Sequence, residues 1–281
     1  MKSFKIFTIG ICCLFVTNTA FAQKRSVKED WVKLFNGKDL KDWDIKITNE
    51  DLGVNYKNTY QVDSGILKIS YSEYTNFDSK YGHMYYKTPY SYYKIRFEYR
   101  FVGQQITGGA EWNVRNSGIM VHSQSAQSLK KSQDFPASLE IQLLGGLNQG
   151  ARTTANLCTP GTIVEMDGKI NPEHCINSSS KTYDGDQWVK VEAVVLGDSS
   201  ITHYVEGLPV FAYQKPHIGE DATGKGALLA SGYIAVQAES HPIHFKSIEL
   251  LNLEGCKNPK CAKYKSYYIK GITCKRCKKS I

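Results

Sequence analysis

The segment Tyr92–Phe101 alternates strictly between apolar and charged residues. One set of alternate positions holds Tyr93, Ile95, Phe97, Tyr99 and Phe101, and the other holds Lys94, Arg96, Glu98 and Arg100. A period of two residues is typical of a β-strand that buries one face. The sequence therefore predicts a half-buried strand here.

Short apolar segments of the same kind recur along the chain and are separated by turn residues. They are 59–70 (two strands around a turn), 117–121, 138–144, 188–196, 201–205, 208–213, 232–237 and 243–253. Glu206 and Gly207 supply a hairpin turn, since glycine adopts a positive φ readily. No amphipathic helix longer than two turns is evident, and the 18 tyrosines favour strands. The pattern predicts an all-β fold, an antiparallel sandwich or barrel.

The strand predicted at residues 138–144 places two kinds of side chain on opposite faces. Leu139, Ile141 and Leu143 form the core face, so Glu140 and Gln142 point the other way. A carboxylate accepts hydrogen bonds and an amide both donates and accepts them, which suits recognition of sugar hydroxyls. The alternative is an exposed sheet face without a function.

Residues 147–186 do not alternate and are rich in Gly, Asn, Ser and Thr. A long irregular segment inside a compact domain is usually functional. Cys158 and Cys175 lie within it, and a disulfide closing a loop of this size stabilises a fold by roughly 3 kcal/mol. We therefore predict that Cys158 and Cys175 are bonded to each other.

Residues 1–22 have the features of a secretory signal peptide. Lys2 and Lys5 precede an apolar run, and Ala20 and Ala22 provide small residues at a cleavage site. The run is too short to span a bilayer comfortably, and no second long apolar stretch follows. We expect an exported protein, periplasmic or extracellular, whose mature chain has no transmembrane segment.

Six cysteines remain once Cys12 and Cys13 leave with the signal peptide, an even number that suits disulfide pairing in an oxidising compartment. Four of them cluster near the C-terminus with the spacing C-x4-C-x12-C-x2-C: Cys256, Cys261, Cys274 and Cys277. In an exported chain this favours two disulfides, with a zinc site as the alternative. We expect residues 31–253 to form one domain and residues 254–281 a small cysteine-rich module.

The formal net charge of +8 falls to +6 when Lys2 and Lys5 are removed. Much of the remaining excess lies in the last part of the chain, and we interpret it as a solvated basic tail. A nucleic-acid-binding surface would place such charge on a folded face with base-stacking aromatics. No nucleic-acid partner is expected.

Several short elements, taken in order along residues 31–253, resemble the 3-keto-disaccharide hydrolase domain family. They are 31–43 (WVKLFNGKDLKDW), 116–119 (NSGI), 139–144 (LEIQLL), 187–189 (QWV), Gly207 in a hairpin, and 232–237 with 245–248. Gly145 and Lys246 stand where the family has Asp and Arg, and the HG pair that often follows Gln237 is replaced.

This resemblance implies a concanavalin A-like jelly-roll sandwich of two antiparallel sheets, with the ligand on the concave face. It also implies extracytoplasmic sugar metabolism. In a glycoside oxidised at C3, the ketone acidifies the C2 proton, and removing that proton lets the C1 substituent leave. Such a site needs a base, an acid and an electrophile for the ketone oxygen. The paired carboxylates of ordinary glycosidases are not expected, since Glu140 has no evident carboxylate partner in the sequence.

Candidate roles follow from this chemistry. Glu140 is the expected base, Lys246 or Arg115 the electrophilic helper, and His122 a further acid or base. The candidates for substrate binding are Gln142, Arg115, Asn116, Gln237, Glu239 and His241. A divalent metal remains an option, but no ligand spacing is diagnostic, and no other cofactor is implied.

Two functions are consistent with these features, and carbohydrate is the partner in both. The protein is either a secreted hydrolase or lyase that cleaves 3-keto-glycosides, or a lectin-like module that binds a glycan without turning it over. The ordered family elements and the shared face of Glu140 and Gln142 favour the enzyme. The departures at Gly145 and after Gln237, and the abundance of aromatic residues, are the grounds for the alternative, the lectin-like module.

Overall fold

The computed structural model describes residues 29–219 and 226–254. Within these ranges the chain forms seventeen strands and three short 3-10 helices, at Tyr56–Asn58, Glu111–Asn113 and Ala126–Ser128. In this part of the chain no helix is long and apolar enough to cross a membrane. The predicted signal peptide and the predicted C-terminal cysteine module lie outside the described residues.

The strands, in chain order, are β1 (Val32–Lys33), β2 (Trp43–Ile47), β3 (Tyr60–Asp63), β4 (Ile66–Ile69), β5 (Gly82–Tyr86), β6 (Tyr92–Phe101), β7 (Asn116–Ser123), β8 (Leu139–Leu144), β9 (Asn156–Cys158), β10 (Thr162–Met166), β11 (Lys169–Asn171), β12 (Cys175–Ile176), β13 (Val189–Leu196), β14 (Ser200–Val205), β15 (Leu208–Ile218), β16 (Tyr233–Ala238) and β17 (Ile243–Asn252).

Among the described residues these strands form two antiparallel sheets. The larger sheet has ten strands in the order β11-β10-β15-β14-β13-β6-β17-β4-β3, with β1 paired to β17. The smaller sheet has seven strands in the order β12-β9-β8-β7-β16-β5-β2. The chain changes sheets between β16 and β17, so residues on either side of this crossover do not share a face.

The core lies between the two sheets. The ten-stranded sheet contributes the apolar face of β6, including Tyr93 and Phe97, and its alternate charged residues lie on the outer surface, which confirms the predicted strand. The seven-stranded sheet contributes Ile119, Ile141 and Val236. Removal of this apolar surface from water is the main force that holds the sheets together.

The expectation that residues 147–186 are irregular is wrong in part, because this region contributes β9, β10, β11 and β12. A hairpin with its turn at Asp167 and Gly168 adds β10 and β11 to the larger sheet, while β9 and β12 form the edge of the smaller one. Cys158 and Cys175 pair directly across β9 and β12 and form the predicted disulfide. These strands have two to five residues, too few for alternation to show in the sequence.

Candidate functional site

Polar side chains collect on the face of the seven-stranded sheet that is turned away from the core, here called the pocket face. On β8, Glu140 and Gln142 alternate with the core residues Leu139, Ile141 and Leu143, as the sequence predicts. Strand pairing sets Gln142 opposite Gly118 of β7, and Gln237 of β16 opposite His83 of β5. With Asn116 of β7, which lines the same surface, four neighbouring strands supply polar groups to it.

A cavity of about 670 Å³ opens on the pocket face. The strands and the residue just after β16 give it the polar groups Asn116, Glu140, Gln142 and Glu239. Loops and the edge disulfide provide the rest of the lining: Trp112, Gln133, Asp134, Phe135, Ala137, Pro160, Gly161, His174, Cys158 and Cys175. The cavity volume lies within the range of about 300–1,000 Å³ that is common for small-molecule sites.

Gly118 lets the Glu140 side chain lie flat across β7. A Cβ atom built on Gly118 would lie 2.7 Å from Cγ of Glu140 and 2.9 Å from its Cδ, so the Glu140 side chain would have to move. Since β7 lies between β8 and β16, the Glu140 carboxyl reaches over it toward the strand that leads to Glu239. The glycine of the NSGI element therefore has a steric role in building the site.

Glu140 and Glu239 form a buried carboxyl pair. Their side chains are 6% and 2% exposed, and neither forms an ion pair among the described residues. Burial raises the pKa of Glu140 to about 8. Burial and the neighbouring charge of Glu140 raise the pKa of Glu239 well above its usual range. Glu239 is therefore a nearby carboxyl that was not evident as a partner of Glu140 in the sequence, and the pair retains a proton at neutral pH.

Several buried polar atoms on the pocket face have no hydrogen-bond partner among the described residues. They are Oδ1 of Asn116, Oε1 and Nε2 of Gln237, Oε2 of Glu239 and Nε2 of His83. Leaving such a group unsatisfied costs about 1–3 kcal/mol, so a ligand or water is expected to pair with this group of atoms. Burial lowers the pKa of His83 to about 3, so its imidazole is neutral.

Lys246 and Arg115 do not reach the pocket. Lys246 lies on the outer surface of the ten-stranded sheet, where its Nζ lies 3.1 Å from a carboxylate oxygen of Glu98. Arg115 precedes Asn116 and points to the opposite side of β7, where its guanidinium lies over the Phe101 ring and 3.4 Å from Asp186. Neither cation is placed to act on a ligand bound beside Glu140.

His122 and His241 also lie away from the pocket lining. The His122 ring is buried against Tyr93, with its Nε2 3.1 Å from the Gly197 carbonyl oxygen, and burial lowers its pKa to about 4. His241 packs edge-on against Phe101 at the end of the sandwich, and burial together with Arg115 lowers its pKa to about 4. Both rings are neutral packing elements in this arrangement.

The structure adds functional candidates that sequence reasoning missed. His83 belongs to β5, whose sequence Gly82–Tyr86 (GHMYY) does not alternate clearly, and Trp112 stands in a short 3-10 helix. Within the described residues no group of three or more His, Cys, Asp or Glu side chains is placed to hold a metal ion.

Replacing Gly118 with Ala is expected to displace Glu140 and to destabilise the fold by about 1–3 kcal/mol, because the new methyl group occupies the space of the carboxylate arm. The measurement is urea denaturation. In a double-mutant cycle, Gly118→Ala should cost much less stability when Glu140 is already Ala. An equal cost in both backgrounds would show that the two residues are not in steric contact.

Comparison with known proteins gives a family and a fold. A family model described as "3-keto-alpha-glucoside-1,2-lyase-like domain" matches residues 30–251. No curated protein matches the chain.

A putative glycosyl hydrolase from Parabacteroides distasonis ATCC 8503 is 17% identical, with a TM-score of 0.49, over 80% of this chain and 94% of that one. A Bacillus subtilis protein of unknown function with a galectin-like fold is 12% identical, with a TM-score of 0.50, over 80% and 97%. The second likeness, with the two antiparallel sheets, confirms the predicted jelly-roll class.

Proposed function

Since the chain belongs to the 3-keto-alpha-glucoside-1,2-lyase-like domain family, a family of carbohydrate-active domains, we propose that it is an enzyme that cleaves glycosides carrying a ketone at C3 by elimination. The observation that carries the proposal is the buried pair of Glu140 and Glu239 in the cavity. Two carboxyls that share a proton provide a base and an acid in one site.

In the proposed reaction, the ionised carboxylate of Glu140 removes the proton from C2 of the keto sugar, and the population of this ionised form increases as pH rises toward the raised pKa of about 8. The electrons of that C–H bond form a double bond between C1 and C2, and the bond from C1 to the leaving oxygen breaks. Protonated Glu239 gives its proton to that oxygen. Glu140 is assigned as the base because its negative charge contributes to the raised pKa of Glu239, which therefore keeps its proton longer.

The carboxyl pair balances protons over one turnover. Glu140 gains one proton and Glu239 loses one, so the pair carries the same number before and after the reaction. Transfer of a proton from Glu140 to Glu239, directly or through water, restores the starting state.

Amide groups take the place of the expected cation in polarising the ketone. The Gln237 side chain is buried with both amide atoms unpartnered, and Asn116 lies beside the carboxyl pair in the cavity lining. Amide N–H groups held in a dry site stabilise a developing enolate oxygen, as oxyanion-hole donors do. Asn116 Nδ2 already donates to the Trp112 carbonyl oxygen, whereas Gln142 lines the cavity and accepts from Asn156 through its Oε1. We propose that the amide N–H groups of Gln237 and Gln142 serve this role.

The test compares two glucosides with the same chromogenic leaving group, one oxidised to a ketone at C3 and one unoxidised. We expect the wild-type protein to release the chromophore from the 3-keto-glucoside alone, because only the ketone makes the C2 proton acidic. Release from both glucosides would contradict elimination and favour ordinary glycoside hydrolysis. Binding of the keto sugar without any release would favour a lectin-like role.

We also propose that the protein works outside the cytoplasm. The disulfide between Cys158 and Cys175 supports an oxidising compartment, since such bonds rarely persist in a reducing one. Fractionation of the producing cells would test this, and recovery of the protein in the cytoplasm with its N-terminus intact would contradict it.

A further inference from the structure

Trp112 is an exposed aromatic residue at the mouth of the pocket. Its side chain is 55% exposed, and it lines the cavity together with Phe135 and Glu239. Single exposed apolar residues are ordinary on protein surfaces, as Leu208 shows at 68% exposure. Trp112 differs because its open surface faces a cavity that also contains a buried acid.

The indole of Trp112 is held in a fixed position. Its ring is nearly parallel to that of Tyr81, at 9° with 6.3 Å between centroids, and Tyr81 in turn packs against Phe135 at 4.9 Å. Asn113 donates from Nδ2 to the Tyr81 hydroxyl at 3.3 Å, and Asn116 donates from Nδ2 to the Trp112 carbonyl oxygen at 3.3 Å. Trp112, Tyr81 and Phe135 therefore form a preorganised aromatic wall.

This aromatic wall has few free hydrogen-bonding groups around it. Gln133 donates to Gln124 and to the Phe135 carbonyl oxygen, and Asp134 accepts from Thr48. Among the described residues, Oδ1 of Asn113 is buried without a partner beside the wall, and more such atoms lie on the pocket face, at Asn116, Gln237, Glu239 and His83. A sugar ring at the wall would have few hydrogen-bond partners for its hydroxyl groups, whereas a flat apolar ring has no hydroxyl groups to leave unpaired there.

The aromatic wall also lies beside the proposed acid. Trp112 and Phe135 line the same cavity as Glu239, and burial, with a smaller contribution from the charge of Glu239, raises the pKa of Tyr81. The group bonded to the C1 oxygen is the one that receives a proton from Glu239. It therefore lies beside Glu239, in the cavity that Trp112 and Phe135 also line.

We infer that Trp112 forms a subsite for an aromatic aglycone, so that aryl 3-keto-glycosides are the preferred substrates. This inference rests on the proposed function. The aglycone ring stacks on the indole, an arrangement that adds dispersion contact and apolar burial to the anchoring of the keto sugar at the pocket face.

The experiment compares Trp112→Ala, Trp112→Phe and the control Leu208→Ala with three 3-keto-glucosides that carry 2-naphthyl, methyl or glucosyl leaving groups. We expect Trp112→Ala to raise KM for the naphthyl glycoside about tenfold and to leave KM for the other two within about twofold. Trp112→Phe should keep most of the affinity, and Leu208→Ala should change nothing. An equal effect on all three glycosides, or a larger effect on the glucosyl one, would overturn the subsite.

Binding measured by calorimetry to the Glu140→Gln protein separates this inference from the proposed function. If no glycoside is turned over by the wild type, but Trp112→Ala still weakens naphthyl binding tenfold in this background, the proposed reaction fails and the subsite stands. If turnover is normal and Trp112→Ala leaves naphthyl binding unchanged, the subsite fails alone. Absence of any naphthyl binding also overturns the subsite.

Discussion

Replacing Glu239 with Gln is expected to lower kcat for a 3-keto-glucoside by about 100- to 10,000-fold, the usual contribution of a positioned acid or base. The amide keeps the volume of the side chain but has no proton of suitable acidity for the leaving oxygen. Glu140→Gln should have an effect of similar size, because it removes the base. The measurement is steady-state turnover, with circular dichroism to show that the fold is intact.

Two substitutions on the other sheet provide the matched control. Glu98 and Lys246 form an ion pair on the outer surface of the ten-stranded sheet, so Glu98→Gln and Lys246→Met should leave turnover within about twofold. A large loss in Lys246→Met would return this lysine to the catalytic role expected from sequence. Full activity in Glu239→Gln would remove the acid from the proposed mechanism.

The second large effect concerns stability and pH. Both carboxyls have pKa values raised in the folded state, to about 8 for Glu140, so the folded protein retains protons that the unfolded chain has released. The retained protons stabilise the folded protein fully below the pKa that the carboxyls have in the unfolded chain, about 4. This stabilisation is lost as pH rises through about 8, the folded-state pKa of Glu140. The slope is up to about 1.4 kcal/mol per pH unit for each carboxyl.

Urea denaturation at pH 5 and at pH 8 provides the measurement, with wild type compared with the Glu140→Gln, Glu239→Gln double variant. We expect the wild type to lose more stability between the two pH values than the variant loses. Burial lowers the pKa of His83, His122 and His203, and these groups act in the opposite direction, but they are common to both proteins. Equal pH dependence in the two proteins would contradict a buried carboxyl pair.

Local alternation of apolar and polar residues was enough to predict β8, the strand that holds Glu140. In β8 the apolar residues take every second position, so the face of Glu140 and Gln142 follows from the sequence alone. The same argument predicted β6 and the hairpin at Glu206 and Gly207. Such features depend only on residues close in sequence, and the burial of one sheet face fixes them.

The carboxyl pair depends instead on contacts between distant segments. Glu239 follows β16 and is separated from Glu140 by β7, so its approach depends on strand order and on the space left by Gly118. Lys246 follows the change of sheets, where β17 joins the other sheet with a register shift next to Lys246, so its place away from the pocket does not follow from the sequence. Strand order and register of this kind are not visible in local patterns.

The central claim is that Glu140 removes the C2 proton of a 3-keto-glycoside while Glu239 protonates the leaving group. The most direct test is proton NMR of a 3-keto-glucoside labelled with deuterium at C2, incubated with wild type, Glu140→Gln and Glu239→Gln. We expect the wild type to release the leaving group with loss of the C2 deuterium and a primary isotope effect on kcat/KM, and both variants to be nearly inactive. Release of the leaving group with the C2 deuterium fully retained would contradict elimination and the role assigned to Glu140.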